Sequence, residues 1–137
     1  KKRGVEKGKE YAILTDEISR AWSGMTTRQY KKLKGLKKEN LRDNMSTTEL
    51  VLNMLAETST KDISAAVHPA GFEESRRVAR RGGEVAGIAR KALEEQTGAL
   101  VVTSMKAADF HNLLTSIIEA APALSEEEDG EDTDNNE

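Results

Sequence analysis

The stretch from Ser46 to His68 limits the possible folds of this chain more than any other part of its sequence. It opens with a capping box, in which the Ser46 side chain can accept the N–H of Glu49 while the Glu49 carboxylate reaches back to the N–H of Ser46. Apolar and small residues then recur three or four positions apart, which predicts one buried helix face. That face consists of Leu52, Leu55, Ser59, Ile63 and Ala66, widened by Val51, Met54 and Val67. Pro69 and Gly71 end the helix, and we expect the other elements to pack around it.

Helical periodicity or helix-ending residues mark four further segments. They are predicted to run from about Lys9 to Trp22, from Thr26 or Thr27 to Lys34, from Gly71 to about Gln96 and from Ser104 to about Ala120. Leu100 to Thr103 is predicted to be extended, either as coil or as a lone β segment. The sequence therefore predicts an all-α fold of four to five helices around a long central helix. Residues 1–8 are predicted to be a linker, residues 9–120 the helical domain and residues 121–137 a disordered acidic tail.

One side of the segment that starts at Gly71 has almost no side-chain bulk. It is formed by Ala79, Gly82, Gly83, Ala86 and Gly87. Each helical glycine costs about 1 kcal/mol relative to alanine, and we infer that another helix approaches this face closely in compensation. Gly82 and Gly87 have the spacing of a phosphate-binding loop, but Ile88 and Ala89 stand where Lys and Ser or Thr are required. We therefore interpret these residues as a helix-packing or interaction surface.

The bulk composition narrows the class of protein. The chain has one Trp, two Tyr and two Phe, so its core must be mainly aliphatic and rich in alanine. The absence of Cys excludes disulfides and thiolate sites and fits the reducing cytoplasm. No apolar run approaches the roughly 18 residues of a membrane span. The chain begins with Lys and has no signal-type apolar block, and we expect it to be an excised portion of a longer protein with a further N-terminal domain.

Charge is distributed unevenly along the chain. Residues 126–137 carry eight acidic groups and no basic one, which leaves 21 basic and 16 acidic side chains in residues 1–125. Such a tail is typical of a solvated, disordered end. Alternatively, it folds back on the basic surface and competes with a polyanion for that surface.

Basic residues gather in two groups. The first group has few partners in sequence and comprises Arg28, Lys31, Lys32, Lys34, Lys37, Lys38 and Arg42. Unpaired cations of this kind release counterions from phosphate, so this group is a candidate for nucleic-acid binding, with a solvated helix face as the alternative. The second group comprises Arg76, Arg77, Arg80 and Arg81. Glu73 and Glu84 are its expected intrahelical partners.

Catalytic and metal-binding patterns are missing from the sequence. His68 and His111 each lack a second histidine or carboxylate three or four residues away on the same face, as a helical metal site requires. Adjacent carboxylates such as Glu73 and Glu74 point apart on a helix and cannot share a proton. We therefore predict no enzymatic activity, no cofactor and no metal.

Several short pieces of the chain form a combined pattern: residues 10–15, 35–38, 41–45, 48–50, 58–60, 82–83 and 89–91. Together they resemble the C-terminal part of the DNA-damage-inducible protein D family, which overlaps with phage antirepressor-like proteins bearing a Bro-type domain, and the resemblance covers about residues 3–105. The chain departs from the family at Asn44, where a His is frequent, and at residues 97–102. The resemblance implies a non-enzymatic regulator of the bacterial DNA-damage response or a phage-derived relative, with recombinase filaments as one expected partner.

Two functional hypotheses follow. The first is a protein-interaction domain, possibly homo-oligomeric, that regulates DNA repair or phage repression by binding a recombinase filament or a repressor. The second is a module that binds nucleic acid directly through the first basic group, the stretch from Arg28 to Arg42.

Overall fold

The computed structural model describes the backbone of residues 2–105 and 107–120, and the side chains of residues 7–105 and 114–120. The helices are α1 (Lys2–Ser23), α2 (Thr27–Leu33), α3 (Thr47–Val67), α4 (Gly71–Thr97) and α5 (Ala107–Ala120), with a 3₁₀ turn at Arg42–Asn44. The described residues contain no β-strand, which confirms the all-α prediction and excludes a lone strand at Leu100–Thr103. The predicted acidic tail, residues 121–137, lies outside the described residues.

Local sequence signals place several helix boundaries. Capping boxes start α2 at Thr26, with Gln29, and α3 at Ser46, with Glu49, as predicted for Ser46. Gly98 ends α4 in the left-handed conformation that favours glycine. α1 begins at Lys2, so the helix extends through residues that the sequence analysis assigned to a linker.

The centre of the fold is α4, not α3. α4 packs along both α1 and α3, whereas α1 and α3 touch each other over a much shorter stretch. The predicted buried face of α3 is correct for Leu52, which is buried, but wrong for Leu55 and Ala66, which are exposed. Glu49 and Ala56 are buried instead. The other large apolar residues exposed on this helix are Val51, Met54 and Val67.

Glycines on α4 explain why α3 turns its smaller side chains inward. A Cβ atom added to Gly82 would lie 2.6 Å from the Cα atom of Thr60, so the two backbones pass in near contact. A Cβ atom on Gly83 would lie 2.6 Å from the Ala21 Cβ atom, and one on Gly87 would lie 2.7 Å from the Ala21 carbonyl oxygen. α4 therefore meets α3 on one side and α1 on an adjacent side. Both approaches are possible only where side chains are small.

The apolar core is centred on Trp22 at the end of α1. Its ring lies 6.0 Å from that of Tyr30, and both side chains are fully buried. The Nε1 atom of Trp22 donates to Asn53 Oδ1 at 3.2 Å, which joins α1 to α3. The rest of this core cluster comprises Leu36, Leu41, Met45, Leu52, Ala56 and Ala86.

Candidate interaction surfaces and the buried polar cluster

A buried ion pair joins the end of α2 to the first turn of α3. The Lys34 Nζ atom lies 2.9 Å from Glu49 Oε1, and both side chains are fully buried. The Tyr30 hydroxyl donates to the second carboxylate oxygen of Glu49. Because Glu49 also accepts the Ser46 N–H at 3.1 Å, one carboxylate caps α3 and holds the pair together. Lys34 is thus closed off from any nucleic acid, contrary to the sequence prediction.

The environment of this cluster keeps Tyr30 protonated. Burial raises the pKa of Tyr30 far above its ordinary value, and the hydrogen bond to Glu49 raises it further. The group is sealed from solvent, so it cannot exchange protons with a substrate. It is a structural cluster rather than a catalytic one.

Lys34 also binds the segment between α4 and α5. Lys34 Nζ donates to the carbonyl oxygen of Thr103 at 2.9 Å and also to that of Met105. Glu94 makes a second contact with this segment, because its carboxylate accepts the Val101 N–H at 3.0 Å. Arg90 holds that carboxylate at 2.9 Å and donates to the Trp22 carbonyl oxygen at 2.6 Å. Residues 98–105 are therefore bound to the body of the domain at Val101, Thr103 and Met105.

The remaining members of the first basic group differ in availability. Arg42 pairs with Glu57 at 2.7 Å, and Lys31 is half-buried. Four others are exposed and make no ion pair with any residue whose side chain is described: Arg28, Lys32, Lys37 and Lys38. The structure thus divides a stretch that looked uniform in sequence.

A second polar cluster joins α1 to the start of α4. The Glu17 side chain is only 7% exposed, and it accepts hydrogen bonds from Arg76 at 2.9 Å and Arg80 at 3.3 Å. The hydrogen bond from Arg76, assisted by Arg80, lowers the pKa of Glu17 against the opposing effect of burial. The expected Glu73–Arg76 pair forms at 3.6 Å, but Arg80 binds Glu17 where the sequence analysis expected Glu84. Sequence spacing pointed to intrahelical partners and missed this contact between helices.

The small-residue face is enclosed within the domain. Ala79, Gly82, Gly83, Ala86 and Gly87 are all buried between α1 and α3. The close helix approach inferred for them takes place inside the chain, so this face is not open to another molecule.

An exposed apolar surface lies instead on the side of α3 and α4 that faces away from α1, and we call it the outer face. On α4, Val85 lies about half a turn from Gly83 and Gly87, the residues that contact α1, and Ile88 lies about 140° from Gly83 and about 100° from Gly87 around the helix axis. On α3, Val51 and Leu55 lie about half a turn from Asn53, the residue that binds Trp22 of α1. The exposed fractions are 56% for Val51, 36% for Leu55, 42% for Val85 and 70% for Ile88.

α5 carries a second exposed apolar surface. Ile117 and Ile118 follow Leu114 by three and four residues, and Leu114, Ile117 and Ile118 are 59%, 52% and 60% exposed. Within the described residues, α5 makes its main contact with the 3₁₀ turn at Arg42–Asn44, and no helix contacts α5 to the same extent. The apolar side of α5 therefore has no helix packed on it in the described part of the chain.

The described residues contain no candidate metal site. No three His, Asp or Glu side chains there come together as metal ligands. His68 is exposed at the end of α3, where its φ of 49° ends the helix, and the His111 side chain lies outside the described residues. No helix in the described part of the chain is long and apolar enough to cross a lipid bilayer.

Comparisons with known proteins return no relative: no family model, no curated protein and no solved structure matches this chain. The resemblance to the DNA-damage-inducible protein D family therefore stays a prediction.

Proposed function

We propose that this chain is a non-enzymatic helical interaction domain that self-associates through the outer face of α3 and α4. The observation that carries the proposal is the exposure of Val51, Leu55, Val85 and Ile88 on one side of two packed helices. Contiguous apolar surface of this kind on a soluble domain is typical of an interaction site. Fully burying an exposed side chain of this kind is worth roughly 1.5–3 kcal/mol, and these four are already about half buried, so a helix laid over them gains roughly half of that for each.

The occupant that we propose for the outer face is α5 of a second copy. Leu114, Ile117 and Ile118 form the apolar stripe that helix-in-groove recognition uses. α5 has 14 residues and is therefore about 21 Å long, enough to cover four apolar side chains on two neighbouring helices. Each copy offers one α5 and one outer face, and we propose that two copies exchange both contacts reciprocally, which closes the assembly as a symmetric dimer rather than an open chain.

The experiment is light scattering coupled to size exclusion at about 100 µM protein, a concentration that populates even a weak dimer. We expect the wild-type chain to be dimeric, and both Ile88→Asp and Ile117→Asp to be monomeric. An equimolar mixture of the two variants should regain dimers, because one intact α5 and one intact outer face still meet. Leu33→Asp is the matched control, since Leu33 is 40% exposed on α2 and lies outside both surfaces. A monomeric wild-type chain contradicts the proposal.

For the wider role, we propose that this domain regulates a bacterial DNA-damage response or phage repression by binding a recombinase filament or a repressor. This proposal is supported only by the sequence resemblance. It is tested by recovering the full-length protein from cells after DNA damage and asking whether Ile88→Asp loses a recombinase or repressor that the wild type retains.

A second candidate function is direct nucleic-acid binding, favoured by the exposed and unpaired Arg28, Lys32, Lys37 and Lys38. Fluorescence anisotropy with single-stranded and duplex DNA should then show binding that weakens steeply between about 50 and 200 mM salt. Lys37→Glu with Lys38→Glu should abolish binding, whereas Arg77→Glu with Lys91→Glu, an equal charge change on exposed residues of α4, should reduce it much less. Deletion of residues 126–137 should strengthen binding. No binding at low salt, with or without the tail, excludes this function for the chain.

A further inference from the structure

A groove of about 670 Å³ lies on the opposite side of the domain from the outer face, between α1, α3 and the connector that follows α2. Its size falls within the roughly 300–1,000 Å³ that small-molecule sites occupy. The start of α4 closes its base. Neither the proposed dimer nor the four exposed basic residues favoured for nucleic acid, Arg28, Lys32, Lys37 and Lys38, account for this groove.

The floor of the groove is apolar and already packed. It is formed by Leu14, Ile18, Leu41, Met45, Val78 and Ala79. Leu41, Met45, Val78 and Ala79 are buried, so their positions are fixed by the core rather than by a ligand. A ligand in the groove would therefore lay an apolar body on a preformed surface.

The walls of the groove carry an excess of positive charge. Three cations line it, Lys31, Arg42 and Lys61, against one carboxylate, that of Glu57. Glu57 is already engaged, because Arg42 binds it at 2.7 Å and Asn53 Nδ2 donates to it at 3.2 Å. Lys31 and Lys61 make no ion pair with any residue whose side chain is described. The arrangement suits an anionic group better than a neutral or cationic one.

We propose that this groove binds an anionic amphiphile, a carboxylate with a linear apolar chain. The chain lies on the floor formed around Val78 and Ala79, and the carboxylate meets Lys31 or Lys61 at the wall. Arg42 and Glu57 remain paired with each other. The inference does not depend on the proposed dimer, because the groove and the outer face lie on opposite sides of the α3–α4 pair.

The chain contains its own reporter for such a ligand. Trp22 is the only tryptophan, and its Nε1 atom binds Asn53, whose side chain lines the groove. A ligand that displaces the Asn53 amide should shift the emission of Trp22. Calorimetry on the same samples gives a second readout that is independent of fluorescence.

The test compares decanoate with decyltrimethylammonium, which has the same chain and the opposite charge. We expect saturable binding of decanoate, at least about tenfold tighter than that of the cation. Lys31→Glu with Lys61→Glu should weaken decanoate binding by about tenfold or more, whereas Lys32→Glu with Lys91→Glu should change it less than threefold, although the charge change is the same. Lys32 and Lys91 are exposed and lie outside the groove.

A second variant keeps the test sharp if the charge reversals alter the fold. Thr15→Phe places a ring in the groove from an exposed position on α1, and it should block decanoate without lowering the thermal midpoint. Three results overturn the proposal: no saturable binding of decanoate up to about 1 mM, equal binding of the two amphiphiles, or equal effects of the two pairs of lysine substitutions.

Discussion

The side-chain ammonium of Lys34 lies 2.9 Å from a carboxylate oxygen of Glu49, and neither side chain is exposed to solvent. Fifteen residues separate the two in sequence, so the contact fixes α2 against the beginning of α3. Water cannot replace either partner there. Removing one partner leaves the other charge buried and uncompensated, which is far more costly than losing an exposed ion pair.

Lys34→Met should therefore lower the free energy of unfolding by about 3–5 kcal/mol, measured by urea denaturation. Lys32→Met is the control, because Lys32 is only two residues away on α2 and exposed, and it should change stability by less than about 0.5 kcal/mol. Adding Glu49→Gln to Lys34→Met should recover part of the loss, because it removes the orphaned charge. A Lys34→Met protein as stable as the Lys32→Met protein would show that the buried pair is not formed.

Because of the buried Tyr30 hydroxyl, we expect the free energy of unfolding to fall in alkali. Burial, followed by the bond to Glu49, holds the pKa of Tyr30 above its ordinary value of 10.0 in the folded state. The unfolded chain releases the Tyr30 proton first, so this contribution to stability is complete below pH 10 and is lost as the pH rises toward the folded pKa. Tyr30→Phe should be less stable at neutral pH by about 1–3 kcal/mol and should lose less stability above pH 10. Parallel urea titrations of both proteins across that range measure the difference, and identical slopes would argue against the bond.

Because of the Glu17 carboxylate, we expect the free energy of unfolding to fall in acid as well. Its pKa is lowered from the ordinary value of 4.5 by the hydrogen bond from Arg76. The contribution is therefore present above pH 4.5 and is lost as the pH falls through the folded pKa. Glu17→Gln should cost about 1–2 kcal/mol at neutral pH and should flatten the acid side of the stability profile. Glu84→Gln, on an exposed residue of α4, should leave the profile unchanged.

Alanine substitutions at two helical glycines distinguish the steric cost of close helix packing from the gain in helix propensity. Gly83→Ala should lower stability by about 1–3 kcal/mol, because the new Cβ atom would lie 2.6 Å from the Ala21 Cβ atom. Gly8→Ala should raise stability by up to about 1 kcal/mol, because nothing lies within 4 Å of the new atom in α1. Both changes gain the same propensity, so thermal unfolding of the pair isolates the steric cost. Equal effects would mean that α1 and α4 do not approach as closely as described.

Local signals in the sequence were enough to predict the helices but not their arrangement. The Ser46 capping box and the stop at Gly98 depend on neighbouring residues alone; the capping box occurs where it was predicted, and α4 ends at Thr97, one residue past the predicted end near Gln96. The buried side of α3 was predicted from apolar spacing, which favoured Leu55. The partner helix decides this instead, since Gly82 accepts only a small residue such as Thr60 against its backbone.

The candidate surfaces were harder to predict for the same reason. Lys34 has no feature in sequence that separates it from Lys32 or Lys37, because its burial depends on Glu49 and on the distant Thr103 and Met105 carbonyl groups. The groove near Val78 likewise combines residues from four helices and the connector. Contacts of this kind are set by tertiary packing, which spacing along one helix does not encode.

The hydrogen bonds from Lys34 to the carbonyl groups of Thr103 and Met105 determine where the chain can be truncated without destabilising the domain. A chain shortened to end at Thr97 keeps every residue of the α1–α3–α4 bundle but strips two acceptors from a charge in its interior. A chain that ends after Met105 keeps them. Limited proteolysis should accordingly leave residues 98–105 attached to the resistant core, and the shortest autonomous fragment should include that stretch.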